Sequence, residues 1–298
     1  MRFLFVDRIV ESFPGQLIRG IKHITQDDTF LTVDEQGRPC FIPSLIGETL
    51  GQLAAWNVMH CLEFSHRPVA GIVAKAAMHR AAYVGETLLL ESFIERIEDS
   101  VMQYHSVARI GNEVVFTLEG ALGPLLPMND FIDPDEVKQQ FAEIDRPGDW
   151  SIISSKSTPL LDSDLMLNVE LPLVSMAFDR VCSFEPKVSL TAEKRITRAA
   201  LYFADHFPKK PVLPLTVLLE CKLNLAREFV ARSGYALSYS VSEFRKMKMN
   251  EFVHPGDILE CYVNVKKQTD EELILTFRSE VLGKRVCVVD VVLIPRGN

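Results

Sequence analysis

The sequence predicts an α+β fold made twice in tandem along 298 residues. Two observations carry this reading. Matching stretches recur at a constant separation of 172 residues, and each half has one long apolar helix followed by three extended segments rich in aliphatic and β-branched residues. The length suffices for two domains, each burying its own core.

The repeat begins at the amino terminus. FVDRIVE returns loosely as FDRVCSF, pairing Asp7 with Asp179 and Arg8 with Arg180 at the 172-residue offset. The same offset carries KHIT (22–25) onto KRIT (194–197), Pro39 onto Pro211 and Glu48 onto Glu220. Further on, VGETLLLESF aligns with HPGDILECYV, with the offset shorter by one residue, as a loop deletion would produce.

Within each half the order of patterns is the same. Short strand-like pieces precede a helix expected from Pro43 to Phe64, and its counterpart runs from Pro214 to Ser233 with Gly234 placed to stop it. The strands expected next are GETLLLESFIERI, VMQYHSVARI and EVVFTLEGAL, turning at Gly111-Asn112. In the second half they are GDILECYVNV, ELILTFRSEV and RVCVVDVVLI, turning at Gly283-Lys284. The domains are placed at 1–126 and 172–298. The linker, 127–171, is acidic and proline-containing, and its DPDEVKQQFAEI reads as a short helix with Asp133 as cap, Pro134 in the first turn, and Val137, Phe141 and Ile144 on one face.

Composition limits the function classes. At 47% hydrophobic and 24% charged residues the chain is expected to be soluble and globular throughout. Arg2, Asp7, Arg8 and Glu11 interrupt the amino-terminal apolar residues, and no uncharged run reaches membrane-spanning length, so a cytoplasmic protein is expected. Six cysteines lie scattered without CxxC spacing and the histidines lack HxxxH or HExxH spacing, which points to reduced thiols and no metal site. A net charge of -8 argues against nucleic acid as a partner.

Both helices are apolar on nearly every side, so Glu48 and Glu220 are expected to be buried, at a cost of several kcal/mol for an unpaired carboxylate. Gln52 stands one turn beyond Glu48, where its amide can hold the carboxyl, whereas the second half has Asn224 at that position. The histidine is distributed the other way: His206 begins HFPKKP, and the matching residue of the first half is Asp34 in DEQGRP. Taken alone, Glu48 suits a buried ion pair, Asp34 a turn, and Trp56 core packing or the lining of a tunnel.

HFPKKPVLPLTVLLE places Glu220 fourteen residues after His206. The stretch resembles the signature HFPGxPxxPGxxxxE of the β-hydroxyacyl-acyl-carrier-protein dehydratases, proteins of the hotdog fold. FVDRI looks like that family's start, GETLGQ like its EAxxQ helix and HPGD like its PGD turn. Two departures stand out: Leu215 replaces the signature's last glycine, and Pro43 is displaced by one residue from its counterpart Pro214.

The resemblance implies a double hotdog, two antiparallel sheets each wrapped around a long central helix, forming an intramolecular pseudo-dimer. It implies a site made of His206 from one unit and Glu48, supported by Gln52, from the other, with Asp34 and Glu220 as a degenerate second site. A neutral imidazole would take the proton α to a thioester carbonyl, and the carboxyl would protonate the departing β-hydroxyl. Amides at a helix start, near Ser44 and Leu45 or near Leu215 and Thr216, would stabilise the developing oxyanion.

The implied substrate is a 3-hydroxyacyl thioester on the phosphopantetheine of acyl carrier protein, with no cofactor of the protein's own. Lys209, Lys210, Arg245, Lys246 and Lys248 would form a rim attractive to an acidic carrier, or be ordinary solvated charge. A coenzyme A hydratase, a thioesterase and a non-catalytic acyl-binding protein are the alternatives. Assembly of such pseudo-dimers into a homo-oligomer stays open.

Overall fold

A computed structural model describes residues 3–156 and 176–296, so the linker from 157 to 171 lies outside the described residues. The chain divides into two compact units, one of Phe3–Ala70 with Met78–Ser175, the other of Gly71–Ala77 with Met176–Asn298.

The first unit contains β1 (Arg8–Phe13), β2 (Leu17–His23), a short pair β3 (Leu31–Val33) and β4 (Pro39–Phe41), α1 (Pro43–Cys61) and β5 (His66–Pro68). After β6 (Ile72–Met78), most of which belongs to the other unit, come β7 (Thr87–Glu98), β8 (Val101–Ile110) and β9 (Glu113–Pro127). The antiparallel order is β1-β2-β7-β8-β9, and α1 packs on it. Pro43 suits the first turn of α1, and Leu45, Leu50, Leu53, Ala54 and Val58 are wholly buried. Gly20 on β2 permits the close approach: a Cβ there would stand 2.9 Å from both the Arg8 carbonyl oxygen and Leu53 Cδ1.

Asn57, also fully buried, ties α1 to the β1–β2 turn. Its Oδ1 accepts from the Gly15 amide at 2.7 Å, and its Nδ2 donates to the carbonyls of Phe13 at 3.0 Å and Leu17 at 3.1 Å. Phe3, Phe5, Phe30 and Phe41 pack edge to face near the start of the helix.

The linker's first part docks within the same unit. In α2 (Pro134–Ile144) the Asp133 side chain accepts from the Asp135 amide at 2.9 Å, and buried Phe141 packs against His60 and Trp56. The chain then follows β1, with the Arg146 amide donating to the Ile9 carbonyl at 3.1 Å and the Gly148 amide to Val10 at 2.8 Å. This covers the open strand edge before α3 (Trp150–Lys156), whose Trp150 stacks with Arg19.

The second unit holds β10 (Arg180–Glu185), β11 (Ser189–Arg195), α4 (Leu215–Ser233), β12 (Tyr239–Met249), β13 (Ile258–Gln268), β14 (Leu273–Val281) and β15 (Lys284–Pro295). Its antiparallel order is β6-β12-β15-β14-β13-β11-β10. The expectation of one sheet per sequence half needs correction: β6, encoded in the first half, pairs with β12, with Ala77 opposite Glu243 and Ile72 opposite Lys248. Sequence periodicity defines a strand but carries no information on which edge it will join.

The repeat has a physical basis. Asp7 Oδ2 accepts from the His23 amide at 2.6 Å, and Asp179 Oδ2 accepts from the Arg195 amide at 2.5 Å. The register shifts between Ile9 and Glu11 on β1, and between Val181 and Ser183 on β10, again 172 residues apart. Gly234 ends α4 in the left-handed conformation at φ 59°. The second-half hairpin turns one residue earlier than expected, with Leu282 and Gly283 both left-handed and Lys284 already in β15.

Candidate active site

Glu48 occupies the first half of α1 and is half-buried. Gln52 Nε2 donates to Glu48 Oε1 at 3.0 Å and to the Phe3 carbonyl at 3.1 Å, while Gln52 Oε1 accepts from the Phe5 amide at 2.9 Å. The amide's orientation is therefore determined by the backbone on one side and by the carboxyl on the other.

Two residues that sequence reasoning missed feel the charge of this carboxyl. Burial lowers the Arg67 guanidinium to about 9, and the charge of Glu48 works against that fall. Burial raises the Tyr104 phenol, and the same charge raises it further. The Tyr104 hydroxyl lies 3.5 Å from where a Cβ on Gly51 would be, over the helix face that carries Glu48 and Gln52. Nothing in the spacing of EFSHRPVAG or VMQYHSVARI singles out either residue, because they lie on β5 and β8 rather than on the helix of Glu48.

In the second unit His206 closes a compact loop. Its amide donates to Tyr202 at 2.9 Å, its carbonyl accepts from the Val212 amide at 3.1 Å, and its ring stacks on Phe207. The ring Nδ1 lies 3.0 Å from the Val212 carbonyl oxygen. A carbonyl can only accept, so this contact places the proton of the neutral ring on Nδ1 and the lone pair on Nε2. The loop is braced by the HPGD turn, where His254 Nδ1 donates to the Pro211 carbonyl at 3.0 Å and the Leu213 amide donates to Val253 at 2.8 Å.

The other pair of expected residues is engaged differently. Asp34 accepts from the Gln36 and Arg38 amides, both at 2.9 Å, from Arg38 Nε at 2.8 Å and from the Tyr83 hydroxyl at 3.0 Å. Burial opposes its ionisation, but these hydrogen bonds outweigh it and hold the carboxyl below its ordinary value. Glu220 is buried, with Arg227 Nη1 at 3.6 Å. The shorter Asn224 donates to the Met176 carbonyl at 2.6 Å and accepts from Arg227 at 2.7 Å.

The helix starts also differ. On α1 the Leu45 amide donates to Ile42 at 3.0 Å in a tight turn, whereas α4 begins with a regular turn in which Leu218 donates to Pro214 at 3.1 Å. Leu215 and Thr216 open α4, and Ser44 is buried beside Leu45 on α1. In the basic group Lys209, Lys246 and Lys248 are exposed, Lys210 stands 5.1 Å from the Phe252 ring centre, and Arg245 is neutralised by Glu243 and Glu272. Among the described residues no cluster of His, Cys, Asp and Glu has an arrangement that could hold a metal, and no helix is long and apolar enough to cross a membrane.

A family profile described as ApeI-like, ApeI dehydratase, matches residues 183–288. A 3-hydroxyacyl-[acyl-carrier-protein] dehydratase FabZ from Thermoanaerobacter sp. is 32% identical over 120 residues, which span 83% of that protein and 39% of this chain. This chain belongs to the FabZ-like dehydratase family. The FabZ-like match covers one domain's length, and the FabZ of Lactiplantibacillus plantarum gives a similar one, 28% identical over 123 residues and 80% of that protein.

Solved structures match over the whole length. The dehydratase domain of the polyketide PpsC from Mycobacterium tuberculosis aligns with a TM-score of 0.55 at 10% identity, covering 98% of each chain. An oleoyl thioesterase (putative) from Lactobacillus plantarum aligns with a TM-score of 0.54 at 13% identity, covering 95% of this chain and 97% of that one. Identities this low establish the fold alone, a double-hotdog-like α+β arrangement shared by dehydratases and thioesterases.

Proposed function

We propose that this FabZ-like chain dehydrates 3-hydroxyacyl thioesters to trans-2-enoyl thioesters, with His206 as base and Glu48 as acid. His206 Nε2 takes the proton from Cα and the C–H electrons form the Cα=Cβ bond. The Cβ–O bond breaks, and the hydroxyl leaves as water with the proton of Glu48. Enolate charge on the thioester oxygen meets the first-turn amides of α4, at Leu215 and Thr216.

The observation that carries this reading is the asymmetry between the two carboxyls. The Gln52 amide orients Glu48 at 3.0 Å, whereas the matching amide of Asn224 is given to Met176 and Arg227, and Glu220 lies 3.6 Å from Arg227. Asp34, where a second histidine would be, is consumed by Arg38 and Tyr83. One competent histidine and one competent carboxyl remain, and they come from opposite halves of the chain. We further propose acyl carrier protein as the carrier, recruited through Lys209, Lys246 and Lys248.

The test is the ultraviolet absorbance of a 2-enoyl thioester on a pantetheine or carrier-protein arm, mixed with wild type and with His206→Ala at equal folded concentration. Wild type should consume the chromophore by hydration and the variant should not. A thiol-trapping dye in the same cuvette should stay silent; thiol release would establish thioester hydrolysis instead. An unchanged absorbance across several chain lengths would favour acyl binding without catalysis.

A further inference from the structure

Helix α4 buries an amine that the proposed reaction leaves unused. Lys222 has no exposed surface, and its Nζ donates to Cys287 Sγ at 3.1 Å. Cys287 on β15 lies opposite Ser279 of β14, and Ser279 lies opposite Cys261 of β13. Partners across an antiparallel ladder share a face, so the three side chains form one row that Lys222 meets from the helix. All four residues are wholly buried.

The first unit fills the matching place with hydrocarbon. The 172-residue offset carries Lys222 onto Leu50; the offset shorter by one, which holds after the loop deletion, carries Cys261 onto Leu90, Ser279 onto Ala108 and Cys287 onto Phe116. The register is the same there, Leu90 opposite Ala108 and Ala108 opposite Phe116, and these residues too are buried. The second unit thus has an amine, a hydroxyl and two thiols where the first has four apolar side chains. A buried amine is costly without a counterion, and among the described residues Lys222 has no carboxylate within ion-pair distance.

The two thiols are not equivalent. Ser279 Oγ donates to Cys261 Sγ at 3.6 Å, and burial pushes the Cys261 thiol up to about 11. Cys287 is the one in contact with the amine: its sulfur accepts from Lys222, while its own S–H donates to the Val288 carbonyl at 3.8 Å. Nitrogen and sulfur therefore face each other at a separation that one bridging atom closes with little movement. A thiol beside an amine is open to oxidation that a thiol among hydrocarbons resists.

We propose that Lys222 and Cys287 are a covalent modification site, closing to an Nζ–O–Sγ bridge when dioxygen oxidises the protein. The S–H bond, one N–H bond and the O–O bond break, and S–O and O–N bonds form. The second oxygen leaves as water with the two hydrogens. Sulfur and nitrogen each give up two electrons, and dioxygen takes the four. Two molecules of a dithiol reverse the step, restoring thiol and amine and releasing the bridging oxygen as water. Dioxygen is small and apolar and reaches the row through local openings of the unit. The bridge joins α4 to β15 across 65 residues of chain, so it constrains the unfolded state as a disulfide does.

The experiment uses the full chain carrying Cys61→Ser and Cys182→Ser, which removes the two exposed thiols. Samples kept in dithiothreitol are compared with samples equilibrated with dioxygen, by peptide mass spectrometry and by urea denaturation. The expected result in dioxygen is a crosslink between the Lys222 and Cys287 peptides with one oxygen gained and two hydrogens lost, together with a higher urea midpoint. Dithiothreitol should reverse both. Cys287→Ser and, separately, Lys222→Leu should lose the crosslink and the redox-dependent midpoint, whereas Cys261→Ser should keep them.

A folded protein in which dioxygen leaves the two residues unlinked overturns the proposal. Sulfinic acid at Cys287, a disulfide between Cys261 and Cys287, or a Lys222–Cys287 crosslink lacking the oxygen overturns it as well.

Discussion

Gln52 holds Glu48 and the amino-terminal segment at once, donating to the carboxyl at 3.0 Å and to the Phe3 carbonyl at 3.1 Å while accepting from the Phe5 amide at 2.9 Å. In the second unit Asn224, one methylene shorter, binds the Met176 carbonyl and Arg227. One side-chain length thus separates an amide that holds a carboxyl from one that holds a backbone carbonyl and an arginine. Gln52→Ala should destabilise the protein by about 1–3 kcal/mol, because backbone groups of Phe3 and Phe5 lose a buried partner. Gln52→Asn should retain more of that stability while lowering the hydration rate. Urea denaturation and enoyl-thioester hydration on the same samples check both outcomes.

The two carboxyls should separate by mutation. Glu48→Gln removes the proton donor and should lower hydration by about 100-fold or more. Glu220→Gln should leave the rate within a factor of about 2 and act on stability, since Glu220's ionic neighbour is Arg227. Equal losses in the two variants would assign the chemistry to both helices or to neither.

Asp34 makes acid stability sensitive to one turn. Its carboxyl is held below the ordinary 3.8 by hydrogen bonds from Arg38 and Tyr83 that outweigh desolvation. A depressed folded value contributes stability that is present above the unfolded value and is lost as pH falls through the folded one. Asp34→Asn should therefore be less stable than wild type at neutral pH, with the gap narrowing by about pH 3. Urea midpoints at the two pH values measure the gap, and hydration activity at neutral pH should survive.

Lys222 is wholly buried on α4, with its Nζ 3.1 Å from the Cys287 sulfur, and among the described residues no carboxylate comes within ion-pair distance of it. The matching residue on α1 is the wholly buried Leu50. Replacing a buried amine by a hydrocarbon of similar length removes a desolvation cost, so Lys222→Leu should raise stability by about 1–4 kcal/mol, seen as a higher urea midpoint. A lower midpoint would show that the thiol contact outweighs the burial.

Much of this fold was legible along the chain. Helix α1 and its counterpart α4, the three long strands after each, and the turn at Gly111 follow from periodicity and turn residues. The 172-residue repeat was legible because Asp7 and Asp179 perform the same strand-capping task. Strands β6 and β12 were not among the expected strands, and their pairing was not legible either, since a strand's pattern does not specify a partner. The place of the hairpin turn was off by one residue because Leu282 adopts a left-handed conformation usually left to glycine or asparagine.

The candidate site divides the same way. The sequence by itself determined the residue types and their spacing: a histidine in a proline-punctuated loop, a glutamate on an apolar helix, and a glutamine one turn on. Those are local properties, set by neighbours within a few residues. Only the tertiary structure decided that the charge of Glu48 acts on Arg67 and Tyr104 while Glu220 has Arg227 beside it, and that Asp34 is spent on Arg38 and Tyr83. Charge and hydrogen bonding depend on distance in space, and groups that meet from β5, β8 and α1 are far apart along the chain.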